Sequence, residues 1–393
     1  MFDQIQQPPS DALHGVMEKL RADSRPYKVD LGVGVYRDAS GHSPVMRAVK
    51  EAEAILIERE DSKAYQSLHG DEVFLEAMTE LVFGRDHPAV RTGRIAGIQG
   101  TGGTGALRVA LDLARLARPD AKVHIGLPTW PNHLSLAEAV GLQIVTHPYF
   151  DPVSQAVDKE AVQQAAAATG EGDLFVLHGP CHNPTGADLS AGDRIGLLHS
   201  LMAKGAVPLV DLAYYGLGDG LEADLRIVRD LAERAERAFI AVACSKSFGL
   251  YRERTGILFV LCANRRERDH VHGQMARISR TLVSMPPAHG AGTVAHILAD
   301  ARLRSLWEAE LEEMRQRILG LRGELAALAN QAPMLRGVGK QKGIFRMLPI
   351  SADQAMTIGR DHAIHLAPSG RINIAGLKLG DAKRLAEALT SVE

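Results

Sequence analysis

Between residues 97 and 263 the chain repeats one pattern seven times: a short apolar run that ends in Gly, Pro or polar residues. The runs are GIQG around Gly97, VHIGLP (123–128), LQIVTHPY (142–149), DLFVLHG (173–179), VPLVDLAY (207–214), FIAVACS (239–245) and GILFVLCA (256–263). Most are rich in β-branched side chains and read as strands. Helix-length segments separate several of them, among them TGALRVALDLARLA (104–117) and AGDRIGLLHSLMAKG (191–205). A strand that is apolar without alternation has both faces covered, and strand–helix alternation supplies the covers. The expectation is an α/β chain with a mostly parallel, seven-stranded sheet between helical layers.

Near residue 300 the texture changes. Leu303, Leu306, Trp307, Leu311, Met314, Ile318, Leu321, Leu325 and Leu328 recur at spacings of three and four. That period predicts one amphipathic helix of about seven turns. It bridges to a smaller α+β unit, with which the first forty-odd residues are expected to pack. A length of 393 residues suits two domains. The expected division is a large cofactor-binding domain over 43–313 and a small domain built from 1–42 and 314–393.

Charge excludes some functions. Lys and Arg total 45 against 47 Asp and Glu, a formal net charge of -2, which supports neither a nucleic-acid nor a membrane-surface partner. The longest apolar stretches, AFIAVAC and ILFVLCA, fall far short of the roughly 20 residues a membrane span needs. Residues 1–15 carry no basic n-region and no apolar h-region, so no secretory signal is expected there. Three cysteines, Cys181, Cys244 and Cys262, do not make a disulfide framework, and a reducing, cytoplasmic setting is expected.

Gly100, Gly102 and Gly105 satisfy the G-x-G-x-x-G pattern of dinucleotide sites. That fingerprint also wants an acid at the end of the following strand, and VHIGLPTW has none. Glycines at a helix N-terminus still let backbone N–H groups converge on an anion. Gly102, Gly103 and Thr104 therefore read as a phosphate cup. Lys246 directly follows the apolar run FIAVACS, and lysine is seldom buried unless paired. Asp211 ends another run, Tyr214 lies three residues on, and Asn183 stands in CHNPTG. In an open parallel sheet the ligand crevice lies at the carboxyl ends of the strands, where all of these fall. His178, Cys181 and His182 fit no zinc spacing, so no metal site is expected. One lysine, one strand-end acid, a phosphate cup and a nearby arginine, Arg254, fit pyridoxal 5′-phosphate.

The chain resembles the class I, fold type I aminotransferases, specifically the aspartate and aromatic amino acid subfamily. The likeness runs almost end to end, through KVDLGVGVYRDASGHSPVM, GTGGTGALRVA, PTWPNH, LHGPCHNPTG, DLAYYG, CSKSFGLYRERTG, PPAHGA, the Trp307 helix and SGRINIAG. The resemblance implies that Lys246 bonds covalently to the cofactor and shuttles the substrate proton. It implies that Asp211 keeps the pyridine nitrogen protonated, and that Tyr214 and Asn183 hydrogen-bond the ring oxygen. Trp130 falls at the position that stacks on the ring, with His133 and His178 behind. Gly102, Gly103, Thr104, Ser245 and Arg254 fall at cofactor and phosphate positions, and Tyr65 at the one that reaches the phosphate of a neighbouring subunit. Ala243 stands where the family commonly has a serine that donates to the phosphate. Arg371 falls at the position that binds the substrate α-carboxylate, and Gly34, Trp130 and Asn183 also fall at substrate positions. Arg280 matches the arginine that crosses a homodimer to the distal carboxylate of dicarboxylic substrates.

The implied reaction is ping-pong transamination between amino acids and 2-oxo acids. An aromatic donor is expected, with dicarboxylates also accepted, because Leu282, Val283 and Met285 after Arg280 are apolar. A dedicated aspartate aminotransferase is the alternative. A non-enzymatic ligand-binding module of the same fold is a second, disfavoured because Lys246 is intact.

Overall fold

The computed structural model describes residues 2–6, 12–378 and 380–393. Part of the N-terminal stretch examined for a signal therefore lies outside the described residues. All seven apolar runs are strands of one sheet: β1 (Ile95–Thr101), β2 (Lys122–Leu127), β3 (Gln143–Pro148), β4 (Leu174–His178), β5 (Val207–Leu212), β6 (Ala238–Ala243) and β7 (Thr255–Leu261). Their order is β1-β7-β6-β5-β4-β2-β3. The neighbours β6, β5, β4, β2 and β3 run parallel, and β7 is antiparallel to both β1 and β6. Residues 244–254 joining β6 to β7 are too few for the dozen or more a parallel crossover needs, so the chain turns back.

This order also disposes of the dinucleotide fingerprint. Helix α1 (Gly102–Ala117) follows β1, but β2 then enters the sheet with four strands between it and β1, so the two are not adjacent strands of a βαβ unit. The sheet is covered on both faces. Leu107, Ala110 and Leu111 of α1 pack with Val123, Ile125 and Leu258 on one side. On the other, Val210, Ile240, Val242 and Phe259 join Phe74, Met78, Leu225 and Trp307. Helices α2 (Ala191–Ala203) and α3 (Leu221–Arg234) contribute to the cover, and α4 (Arg265–Val283) follows β7.

The long periodic segment is a single helix, α5 (Ala301–Ala327). Its first half packs against the sheet layer through Leu303, Trp307, Leu311 and Ile318. Its second half enters a separate core, where Leu321 and Leu325 meet Val29, Leu31, Ile358, Ile372 and Leu385. The two-residue strand Val29–Asp30 pairs in parallel with Ile364–His365, which ties the N-terminal part to the C-terminal part. A second short pair, β8 (Phe345–Met347) with β9 (Arg371–Asn373), is antiparallel. No helix is long and apolar enough to cross a membrane, among the described residues.

Candidate active site

The carboxyl ends of the parallel strands converge on a pocket of about 220 Å³. Strand register brings the chemistry together: Asp211 pairs with His178 on one side and with Ala241 on the other. Because β7 is reversed, its start lies at the same edge, and this places Arg254 beside the pocket. Gly34, Gly103, Thr104, Trp130, Asn183, Asp211, Tyr214, Ser245, Lys246, Arg254 and Arg371 all line it. Of the expected site residues, Gly102 stands just behind this wall. Tyr65 and Arg280 are exposed and line no part of it, and Leu282 and Val283 are also partly exposed, at 38% and 39%.

Lys246 lies on the short helix Cys244–Ser247 that caps β6. Its Nζ sits 5.0 Å from the centre of the Tyr214 ring. Loss of solvent lowers its pKa; Asp211 opposes that and Arg254 adds to it. The turn is locked from below. Trp307 Nε1 donates to the Ser247 carbonyl at 2.8 Å, and the Trp307 ring stacks on Phe248 at 4.3 Å. Ser247 Oγ donates to the Tyr215 carbonyl at 2.6 Å.

Asp211 is held by a chain of hydrogen bonds behind it. Its Oδ2 lies 3.0 Å from His133 Nε2, His133 Nδ1 lies 2.8 Å from Thr129 Oγ1, and that hydroxyl lies 3.0 Å from His178 Nε2. A threonine has one hydroxyl proton, so it donates to one ring and accepts from the other, and the two tautomers are coupled. Burial alone would raise the Asp211 pKa. The His133 hydrogen bond and the nearby positive charge, Lys246 included, outweigh it, and the carboxyl falls below its ordinary value. Burial holds His178 and His182 far below the usual imidazole range, so both stay neutral. Burial likewise keeps the Tyr214 phenol protonated.

At the far end, α1 opens with Gly102 at φ +67°, and a Cβ there would meet Arg254 Nη2 at 2.6 Å. Glycine is thus required twice, by conformation and by space. Arg254 itself takes φ +53°, a left-handed conformation that costs a non-glycine residue of order 1 kcal/mol or more. Its Nη1 donates to the Tyr251 carbonyl at 3.0 Å. Ala243 closes this end, with its Cβ 3.1 Å from where a Gly103 Cβ would stand.

On the opposite wall, Arg371 Nη2 donates to the Gly32 carbonyl at 2.8 Å and the guanidinium lies 4.7 Å over the Phe345 ring. Burial lowers its pKa. A Cβ on Gly34 would strike the same ring at 2.7 Å. Phe345, Thr129 and the Trp307–Ser247 contact had no individual place in the sequence reading. Phe345 and Thr129 carry no chemistry that composition flags; only the fold brings Phe345 to the pocket wall and Thr129 behind Asp211.

The pocket fits pyridoxal phosphate. Asn183 Oδ1 and Arg371 Nε are buried without a hydrogen-bond partner, and both residues line the pocket. A glycine-lined helix start beside a guanidinium offers N–H donors to a phosphate, a low-pKa carboxylate suits a pyridinium, and a lysine with a lowered pKa suits an aldehyde. Among the described residues no cluster could hold a metal ion.

Comparisons with known proteins agree with this chemistry. Tyrosine aminotransferase of Rhizobium meliloti (strain 1021) is 45% identical over the full length of both chains. Aspartate aminotransferase of Salmonella typhi is 37% identical, again over the full length of both. A solved aromatic amino acid aminotransferase with 3-indolebutyric acid superposes with a TM-score of 0.95 at 42% identity, covering both chains completely. The aromatic-amino-acid aminotransferase of Burkholderia pseudomallei, covalently bound to pyridoxal phosphate, gives a TM-score of 0.97 at 35% identity, with 100% of this chain and 99% of that one covered. Residues 26–389 match the family described as aminotransferase class I and II. The chain therefore belongs to the class I and II aminotransferases and is a pyridoxal-phosphate-dependent transaminase of fold type I.

Proposed function

We propose that the chain is an aromatic amino acid aminotransferase that passes the amino group of phenylalanine, tyrosine or tryptophan to 2-oxoglutarate, and that also accepts aspartate and glutamate. The observation that carries the proposal is the pairing in one pocket of Arg371, whose Nε is free, with the faces of Phe345 and Trp130. A guanidinium fork suits a carboxylate, and aromatic walls suit a ring. Among the described residues the lining holds no cation besides Lys246, Arg254 and Arg371, so none of them is left to pair with a distal carboxylate. The relatives at 41–45% identity are named tyrosine or aromatic-amino-acid aminotransferases, which points the same way.

Pyridoxal phosphate, when bound, supplies a carbonyl carbon that bonds to amines and a ring that takes up the electron pair released at the substrate α-carbon. The Lys246 amine would be the covalent anchor and would move the substrate's α-proton; its lowered pKa favours the free-base form that this needs. Asp211, kept ionised by His133, holds a proton on the ring nitrogen. Asn183 and Tyr214 would hydrogen-bond the ring oxygen, and Trp130 would cover the ring. Gly102, Gly103, Thr104, Ser245 and Arg254 hold the phosphate. Arg371 fixes the α-carboxylate against Gly34 and Phe345.

Tyr65 and Arg280, exposed here, serve the neighbouring subunit's site in a homodimer, Tyr65 at the phosphate and Arg280 at a distal carboxylate. Residues 43–313 form the large domain and 1–42 with 314–393 the small one, a division supported by the separate core around Leu321 and Leu385. Three buried free thiols suit a reducing cytoplasm. The test is a donor panel of Phe, Tyr, Trp, Asp and Leu with 2-oxoglutarate. Higher kcat/KM for the aromatic donors is expected. Activity confined to aspartate would make the chain a dedicated aspartate aminotransferase.

A further inference from the structure

Arg322, on the second half of α5, is 2% exposed and, among the described residues, forms no ion pair with a carboxylate. Its guanidinium instead donates to four main-chain carbonyls. Nε and Nη2 reach Gly343 at 3.0 and 2.8 Å, Nη1 reaches Val338 at 2.9 Å, and Nη2 also reaches Lys342 and Phe345, each at 2.8 Å. A charge buried among neutral acceptors is costly, and an apolar side chain of similar volume would fill the space with less penalty. What the guanidinium provides is geometry, because its planar fan fixes several carbonyls in one plane at once.

Those carbonyls belong to the turn that delivers Phe345 into β8. Phe345 is pinned on its other sides too. Its neighbour in β9 is Asn373, two residues from Arg371, its ring lies under the Arg371 guanidinium, and its edge faces the Tyr214 ring at 5.8 Å. The same point touches the loop that carries Asn183. Lys342 N–H donates to the Gly186 carbonyl at 2.7 Å, and a Cβ on Gly186 would meet the Phe345 carbonyl at 2.4 Å and Arg322 Nη2 at 3.0 Å. Among the described residues the Arg371 guanidinium has one hydrogen-bonded anchor, the Gly32 carbonyl.

We propose that Arg322 is a positioning residue for substrate carboxylate binding: by gripping the main chain at Phe345 it sets the aromatic surface on which the Arg371 guanidinium rests. The inference deepens the proposed function and rests on Arg371 being the carboxylate site. Arg322 hydrogen-bonds none of the cofactor residues, and a lysine in its place leaves the Lys342–Gly186 main-chain bond beside the Asn183 loop intact, so the substitution is expected to act on carboxylate affinity and not on cofactor retention.

The test uses holoenzyme and 3-phenylpropanoate, a monocarboxylate without an amino group, titrated by the change in the cofactor's visible absorbance. Arg322→Lys keeps the charge and loses the fan; it is expected to weaken 3-phenylpropanoate about tenfold, near 1.4 kcal/mol, with the pyridoxal phosphate dissociation constant unchanged. Phe345→Leu, which leaves Arg322 in place and guards against a folding failure, is expected to weaken the same ligand by a similar factor. The double variant should be no worse than the worse single one, because both act through one contact. Additive losses, or equal weakening of ligand and cofactor, would overturn the inference. So would unchanged affinity in Arg322→Lys while Arg371→Leu loses binding. Full binding by Arg371→Leu would overturn the underlying substrate reading, and the inference with it.

Discussion

Lys246 and Ala243 stand three residues apart at the end of one strand, and each carries a residue-scale prediction. Lys246→Ala is expected to abolish turnover while the thermal midpoint stays close to wild type, since the Ser247–Trp307 bond holds the turn without the amine. Losing anchor and proton carrier together costs several kcal/mol in barrier height. Sustained multiple turnover without added amine would sink the assignment. Ala243→Ser places a hydroxyl at the phosphate end beside Gly103. A hydrogen bond to a charged group is worth about 1.5–3 kcal/mol, so pyridoxal phosphate should dissociate at least tenfold less readily, as measured by equilibrium dialysis. Equal constants for the two proteins would mean that another donor already serves there. Lys246, Asp211 and Asn183 were legible in the sequence because polar groups at the ends of apolar strands stand out. Thr129 and Phe345 were not, since a threonine and a phenylalanine carry no chemistry until their neighbours are known.

At the scale of elements, α4 and β3 lead to different tests. Helix α4 ends in Arg280, Leu282 and Val283, all turned away from this chain's pocket. If they serve a neighbouring site, Arg280→Leu should lose most of the half-reaction with aspartate and 2-oxoglutarate and keep or gain that with phenylalanine, followed in single turnovers. Equal loss for both donor types would mark Arg280 as structural. Strand β3 carries His147, whose pKa burial pushes down to about 4 from the ordinary 6.5. A histidine depressed in the folded state contributes stability that is complete above 6.5 and lost as pH falls toward 4, because only the unfolded chain takes up the proton. The urea midpoint of the cofactor-free protein should therefore fall between pH 6.5 and pH 5. His147 accounts for up to about 2 kcal/mol of that fall at pH 5, and His147→Gln should flatten it. An unchanged slope in the variant would show that His147 is not the group responsible. The reversal of β7 belongs to this scale as well. It was readable in principle from the short 244–254 connection, yet apolar runs look alike whichever way they point.

For the whole molecule the decisive question is whether two chains share their sites. Lys246→Ala homodimers lack the amine, and Arg280→Leu homodimers lack the distal cation. Random re-pairing of the two should give hybrids with one complete site, and single-turnover activity with 2-oxoglutarate near about a quarter of wild type. Self-contained sites predict no recovery. By itself the sequence determined the seven strands, the α1 start and the single α5 helix, because strand, turn and helix signals are local and hydrophobic periodicity is dictated by which faces must leave water. It also determined the lysine, the acid and the glycine cup, whose residue types are rare in those places. Only the tertiary structure decided the strand order that separates β1 from β2 and so dissolves the dinucleotide reading. It alone brought Thr129 between His133 and His178, and Arg322 behind Phe345 under Arg371. Apart from the short Thr129–His133 bond, those contacts join residues 23 to 49 positions apart, and no local pattern encodes a distance that exists only after the cores have packed.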